Sequence, residues 1–240
     1  MHTLEFQVSR ASVRRQISTT ARKLVIAGWT GRDSKARDQH IKELERIGVP
    51  QPRTTPVFYS LATNLLSQGD VIEVVGQASS GEAEAVVFSY DGALWVTVGS
   101  DHTDRRLEAV SISASKQLCA KPIGREVWPL NEVVGHWDEL ILSSYVWAGR
   151  SRERYQRGVL GENLSAIELI DLYNSEVAFE DGSMMFCGTF PIIGNIRGGT
   201  RFDIEMEDPV THQFLRHSYY IRELPLDEPP FDINGTTGNG

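Results

Sequence analysis

Short apolar and alternating runs dominate this chain, and they predict strands more often than helices. Leu4 to Val8 and Lys23 to Ala27 read as strands, the second carrying Leu-Val-Ile-Ala. Val71 to Val75 reads as another, after the turn Gln68-Gly-Asp, and Leu140 to Trp147 is apolar and β-leaning. Met184 to Phe186, Arg201 to Met206 and the alternating Gln213 to Arg222 continue the β pattern. A helix is expected from about Asp33 to Ile47, with Asp33 or Ser34 as N-cap and Gly48 and Pro50 as its stop. Ser165-Ala-Ile-Glu168 has the capping-box spacing and opens a run of helical period through Ile167, Leu169, Ile170 and Leu172. Glu108 to Lys116 fits helix or strand. Strands and helices do not alternate as βαβ units would, so the pattern predicts an α+β, mostly β chain with two or three helices.

One hairpin carries candidate chemistry. Glu82-Ala-Glu-Ala-Val-Val-Phe-Ser-Tyr reads as a strand, Asp91-Gly92 as a two-residue turn, and Ala93-Leu-Trp-Val-Thr-Val-Gly as the return strand. Pairing Tyr90 with Ala93 places Glu82 opposite Asp101 and Glu84 opposite Gly99, which has no side chain to fill the space. Residues two apart on a strand share a face, as do directly opposed residues, so Glu82, Glu84 and Asp101 converge. A symmetric loop preserves this register and an odd-length loop breaks it. Three carboxylates so close repel unless one is protonated or a cation neutralises them. Oxygen-only ligation suits Mg2+, Mn2+ or Ca2+. Taken alone, Glu-x-Glu near a strand end is more often a solvated surface feature; the converging Asp101 favours a site.

Composition narrows the classes. A formal net charge of −8 argues against a nucleic-acid partner, and the short clusters Arg14-Arg15, Arg105-Arg106 and Arg150 to Arg157 read as solvated faces or small-anion contacts. Cys119 and Cys187 form no Cys-x-x-Cys pair, so a thiolate metal site is not expected. The N-terminus has no apolar signal-like region and no run approaches a membrane span, so the expectation is a cytoplasmic protein with no membrane partner. The segment from Leu224, with its prolines and Asn234-Gly-Thr-Thr-Gly-Asn-Gly, reads as a flexible tail.

His40 and Glu43 lie three apart on the expected first helix, close enough for the Glu to orient the His as a general base. From spacing alone an exposed pair is the commoner case. The Gly194 to Thr200 stretch lacks a P-loop, and no Gly-x-Ser-x-Gly elbow is present.

The order of motifs is more specific than any one of them. His40-Ile-Lys-Glu43 follows a strand ending in Ala-Gly-Trp and precedes Pro56-Val-Phe-Tyr. Then come Glu82-Ala-Glu84, Ser100-Asp101-His-Thr103-Asp-Arg105, Lys116 and Asp181-Gly-Ser-Met-Met-Phe-Cys-Gly188-Thr189-Phe-Pro. From roughly Val25 to Tyr220 the chain resembles the fumarylacetoacetate hydrolase superfamily, and more closely a divergent branch of unknown function. It departs from the pattern in lacking Asn-Tyr before the His, with Gly31-Arg32-Asp33 and a longer spacer there, and in reading Cys-Gly-Thr-Phe-Pro near the end.

The resemblance implies a mixed β-sandwich or β-roll with a lid helix. It implies residues 1–50 as N-terminal strands and lid helix, 51–224 as catalytic domain and 225–240 as tail. It implies Glu82, Glu84 and Asp101 as Mg2+ ligands, with Mn2+ or Ca2+ as substitutes. His40, Glu43 and Lys116 are implied as catalytic, with Lys121 the alternative to Lys116. Arg32, Gly188 and Thr189 are implied as substrate-binding, the last two through backbone N–H groups. The implied activity is hydrolysis of a C–C bond in a small 1,3-dicarbonyl or acylpyruvate-type keto acid by a homodimer. Decarboxylation, isomerisation and sugar-acid dehydration share the same chemistry, and an inactive metal-binding module is the reading from another class.

Overall fold

The turn at Asp91-Gly92 fixes the centre of the architecture. In the computed structural model both residues take the left-handed region, at φ 54° and 67°. A two-residue turn of that geometry matches the twist of the flanking strands. Tyr90 pairs with Ala93 and Glu84 with Gly99, the register expected from the sequence. The structure describes residues 2–9, 15–35, 52 and 54–225.

In chain order the strands are β1 (His2–Val8), β2 (Gln16–Ala21), β3 (Lys23–Gly28), β4 (Val57–Leu61), β5 (Leu66–Ser67) and β6 (Val71–Val75). Next come β7 (Ser79–Ser80), β8 (Ala83–Tyr90), β9 (Ala93–Ser100), β10 (Thr103–Asp104), β11 (Lys121–Pro122) and β12 (Glu126–Pro129). Then follow β13 (Ile141–Ala148), β14 (Ser151–Val159), β15 (Ser183–Phe186), β16 (Arg201–Asp208) and β17 (Gln213–Leu224). The helices used below are α1 (Arg105–Glu108), α2 (Ile112–Leu118) and α3 (Ala166–Asn174).

An eight-stranded sheet runs β2-β1-β12-β9-β8-β15-β3-β4, and a five-stranded sheet runs β14-β13-β16-β17-β6. Two small pairs, β10-β7 and β11-β5, complete the strand topology of the described residues. One core lies between the large sheets, where Ala85, Val87, Val96 and Val98 meet Leu142, Val146, Phe202, Ile204 and Tyr219. A second core fills the opposite face of the eight-stranded sheet with Phe6, Ile17, Ile26, Val86, Phe88 and Phe186. The sheet curls to close it: Phe6 of β1 stacks on Phe88 of β8 with ring centroids 4.5 Å apart, although two strands separate them in the sheet. β8 is therefore covered on both faces, which is why it reads as an apolar run rather than an alternation. The architecture is the mostly β, α+β arrangement expected.

Several expectations are refined. β1 to β3 belong to the same sheet as β8, β9 and β15. The ambiguous stretch 108–116 holds the end of α1, a turn and the start of α2, with Asp104 capping α1 and Ser111 capping α2. α3 carries the expected capping box, Ser165 N donating to Glu168 Oε2 at 2.7 Å. Its buried face is Ala166, Leu169, Ile170 and Tyr173, whereas Ile167 and Leu172 are exposed. The basic cluster of 150–157 lies on and beside β14, an edge strand whose first four residues are exposed, as a solvated face should be. Most of the helix expected from Asp33 to Ile47, with His40 and Glu43, lies outside the described residues, as do residues 226–240 of the tail. Among the described residues no helix is long and apolar enough to cross a membrane.

Candidate metal and catalytic site

The two strands of the hairpin carry their carboxylates to one end. Glu84 lies within β8, Glu82 just precedes it, and Asp101 just follows β9. The ladder extends one step past the strands, because Asp101 N donates to Glu82 O at 2.9 Å. One carboxylate oxygen from each of Glu82, Glu84 and Asp101 lies within 4.8 Å of the others. Glu84 and Asp101 are buried and Glu82 is partly open. The space opposite Glu84 is not left vacant, as the sequence suggested. A Cβ on Gly99 would approach Val86 Cγ2 to 2.7 Å and Phe186 Cε1 to 2.8 Å, so the glycine admits close packing there.

Among the described residues three cations face the cluster. Lys116, in the last turn of α2, hydrogen-bonds Asp101 Oδ2 and stands 3.6 Å from Glu82 Oε2. Lys121, fully buried, stands 3.0 Å from Asp101 Oδ1 and donates to the His102 carbonyl at 2.5 Å. Arg105, positioned by the Asp104 cap, reaches Glu82 Oε1 at 3.0 Å, Ser80 Oγ at 2.7 Å and Glu108 Oε2 at 2.9 Å. The sequence left Lys116 and Lys121 as alternatives; the structure brings both to Asp101. They differ in position: Lys121 is enclosed, whereas Lys116 stands beside the more open Glu82 and 5.9 Å from the Tyr59 ring.

Burial and charge split the carboxylates. Burial raises the Asp101 pKa, but Lys116 and Lys121 overcome it and hold it at about 2. Burial, reinforced by the Asp101 charge, pushes Glu84 well above the usual carboxylate range. Lys116 is raised despite its burial, because Asp101 and Glu82 favour its charged form. Burial, with Lys121 and Arg105 nearby, lowers His102 to about 3, so it is neutral. Its ring joins a polar network: Nδ1 to Tyr219 OH at 3.0 Å, Nε2 to Ser79 Oγ at 2.9 Å, and Tyr219 OH donating to Ser100 Oγ at 2.9 Å. Ser100 Oγ in turn accepts from Glu82 N at 3.2 Å, so His102 braces the cluster from behind.

Gly188 and Thr189 follow β15 and meet the same site, Gly188 through its backbone N–H and Thr189 through its hydroxyl. Gly188 N–H is committed to Glu84 Oε2 at 2.7 Å. Thr189 Oγ1 donates to Ala83 O at 2.8 Å and accepts from Gln156 Nε2 at 2.7 Å. The expected substrate-carboxylate contact through Gly188 N–H is replaced by support of Glu84. Arg32 is likewise engaged, with Asp138 at 2.6 Å and Glu168 at 3.1 Å, beside a cavity of about 380 Å³ also lined by Trp137 and Ser165. Gln156 had no local signal, although its Oε1 accepts from Ala83 N at 2.9 Å and so ties β14 to the start of β8.

The donor set fits a hard divalent cation. All three candidate ligands are carboxylates, and the burial that disfavours ionised Glu84 is what a bound cation would offset.

Solved structures share this fold. A yeast fumarylacetoacetate hydrolase family protein superposes with a TM-score of 0.60 at 14% identity, over 85% of this chain and 94% of that one. The 2-hydroxyhepta-2,4-diene-1,7-dioate isomerase from Mycobacterium marinum gives 0.61 at 14% identity, over 85% and 76%. The maleylpyruvate hydrolase from Sphingobium sp. SYK-6 gives 0.58 at 12% identity, over 88% and 78%. The resemblance read from the sequence thus holds at the level of the fold. No curated protein sequence matches the chain. The family described as "Protein of unknown function (DUF2848)" matches residues 27–219, and the chain belongs to that family.

Proposed function

We propose that the protein is a divalent-metal-dependent enzyme that hydrolyses a C–C bond in a small 1,3-dicarbonyl or acylpyruvate-type keto acid. The observation that carries the reading is the convergence of Glu82, Glu84 and Asp101 within 4.8 Å, with Lys116 beside them. Mg2+, or Mn2+ or Ca2+ in its place, would be held by these carboxylates and would supply Lewis-acid polarisation of the keto acid. Arg105 fixes the orientation of Glu82, and Lys121 that of Asp101. Lys116 would neutralise negative charge developing on the leaving enolate. His40, oriented by Glu43, would take the proton from the attacking water. The solved structures of this fold include a protein named as an isomerase and one named as a hydrolase, and a keto acid polarised in this way can also decarboxylate or dehydrate. Hydrolysis is favoured because the His-x-x-Glu pair supplies the base that decarboxylation does not require. A cytoplasmic homodimer goes with this reading, as does the division into 1–50, 51–224 and 225–240.

The test is a screen of acylpyruvates, maleylpyruvate and oxaloacetate with purified protein and Mg2+. Turnover of an acylpyruvate that EDTA and Glu82→Ala both abolish is expected. Loss of CO2 from oxaloacetate with no acylpyruvate cleavage would replace hydrolase by decarboxylase.

A further inference from the structure

Lys116 is bound to the oxygens that a metal would need. Its ammonium hydrogen-bonds Asp101 Oδ2 and lies 3.6 Å from Glu82 Oε2. The side chain is only 8% exposed, and α2 holds it in place. A cation shared by Glu82, Glu84 and Asp101 must draw on the same lone pairs within a few ångströms of this fixed charge. Lys121 differs, because the His102 carbonyl gives it an acceptor outside the cluster.

We propose that Lys116 competes with a divalent cation for Asp101 and Glu82, and thereby couples cation uptake to the binding of an anionic ligand. The inference rests on the metal-dependent reading above. A cation that takes these oxygens withdraws countercharge from a buried ammonium. The Tyr59 ring is near, but a ring face is a weak partner for an ammonium. A carboxylate on the ligand is a far stronger one. A 2-oxo acid meets both needs, since its adjacent oxygens chelate the cation and its charge faces Lys116. By linkage, such a ligand must tighten the cation as much as the cation tightens the ligand. Lys116 thus disfavours a cation without substrate and favours the two together.

Calorimetric titration of Mn2+ into the full chain, with and without saturating oxalate as an unreactive dianion, tests this, with affinities referred to free Mn2+. In the wild type, oxalate is expected to tighten Mn2+ about tenfold. Lys116→Met keeps the stem and removes the charge, so Mn2+ alone should bind roughly tenfold or more tighter than in the wild type. The further gain from oxalate should shrink in that variant. Lys116→Arg, which keeps the charge, should retain the wild-type pattern. Circular dichroism reports folding, and Lys116→Gln carries the same expectation if Lys116→Met does not fold. Failure of both neutral variants to fold even with Mn2+ counts against the inference, because the cation should replace the lost charge. Mn2+ affinity in Lys116→Met equal to or weaker than wild type would overturn the competition and leave the metal site standing. Absence of Mn2+ binding at millimolar concentration in the wild type would overturn this inference and the functional reading together.

Discussion

The backbone N–H of Gly188 donates to Glu84 Oε2 at 2.7 Å, tying the segment after β15 to the most buried of the two clustered glutamates. Gly188 sits at φ 96°, and a Cβ there would lie 2.0 Å from Thr30 Oγ1. Gly188→Ala is therefore expected to cost about 2 kcal/mol or more of stability, from backbone strain and overlap together. Metal affinity should fall with it, because relieving the overlap with Thr30 shifts the N–H of residue 188 away from Glu84. A urea midpoint equal to wild type would show that the segment relaxes freely and would sink the prediction.

Glu84→Ala should remove most of the affinity for Mg2+ or Mn2+ measured by calorimetry, while the protein stays folded. Glu84 engages a backbone N–H, so its loss strands no buried cation. Affinity unchanged from wild type would mean that the three carboxylates do not form the metal site.

His217 provides a pH signature away from that site. Its Nε2 is buried without a hydrogen-bond partner, and burial lowers its pKa to about 4, with Asp70 opposing and Arg125 assisting. The folded state resists protonation that the unfolded state accepts near 6.5. The stability from the neutral ring is thus complete above that pH and is lost as pH falls towards 4, by roughly 3 kcal/mol at the acid end. His217→Phe should flatten this part of the profile, with little change at pH about 7.5. Identical slopes for wild type and variant in urea melts across that window would exclude the assignment.

For His40, in the region outside the described residues, the functional reading makes a sharp demand. His40→Ala should lower turnover by roughly two to four orders of magnitude and leave Mg2+ affinity intact. Glu43→Gln should lose less, since the imidazole remains. Wild-type activity in His40→Ala, with Glu82→Ala dead, would rule out His40 as the base and favour metal-driven enolate chemistry.

Sedimentation at micromolar concentration is expected to give a homodimer if the functional reading proposed above is right. A species of 26.8 kDa alone would count against that expectation.

The legible parts of this molecule are those whose signals are local. Asp91-Gly92 dictates the β8–β9 register, and with it the meeting of Glu82, Glu84 and Asp101. Ser165 and Glu168 likewise set the start of α3 by their own spacing. β2 carries no clear strand signal because only Ile17, Thr19 and Ala21 face inward, too few apolar residues. The helical period puts Ile167 and Leu172 on the apolar stripe of α3, but the packed stripe is one residue away, through Ala166 and Tyr173. The supporting groups were hidden for a different reason. Gln156 reaches Ala83 across 73 residues and Tyr219 reaches Ser100 across 119, distances at which spacing carries no information. The commitment of Gly188 N–H to Glu84 spans 104 residues and is hidden for the same reason.

Asp101 joins two elements that follow it in the chain, holding Lys116 of α2 on one oxygen and Lys121 of β11 on the other. Removing its charge would leave two buried ammoniums without their shared partner, a loss of about 3–5 kcal/mol for a broken buried pair. A mutational scan would then score Asp101 as a folding residue, whatever it does for a metal. Inactive Asp101 variants would be depleted from cells before their chemistry could be assayed. Glu84 is the position where lost activity reports on lost ligation, and the two carboxylates would carry opposite kinds of phenotype within one cluster.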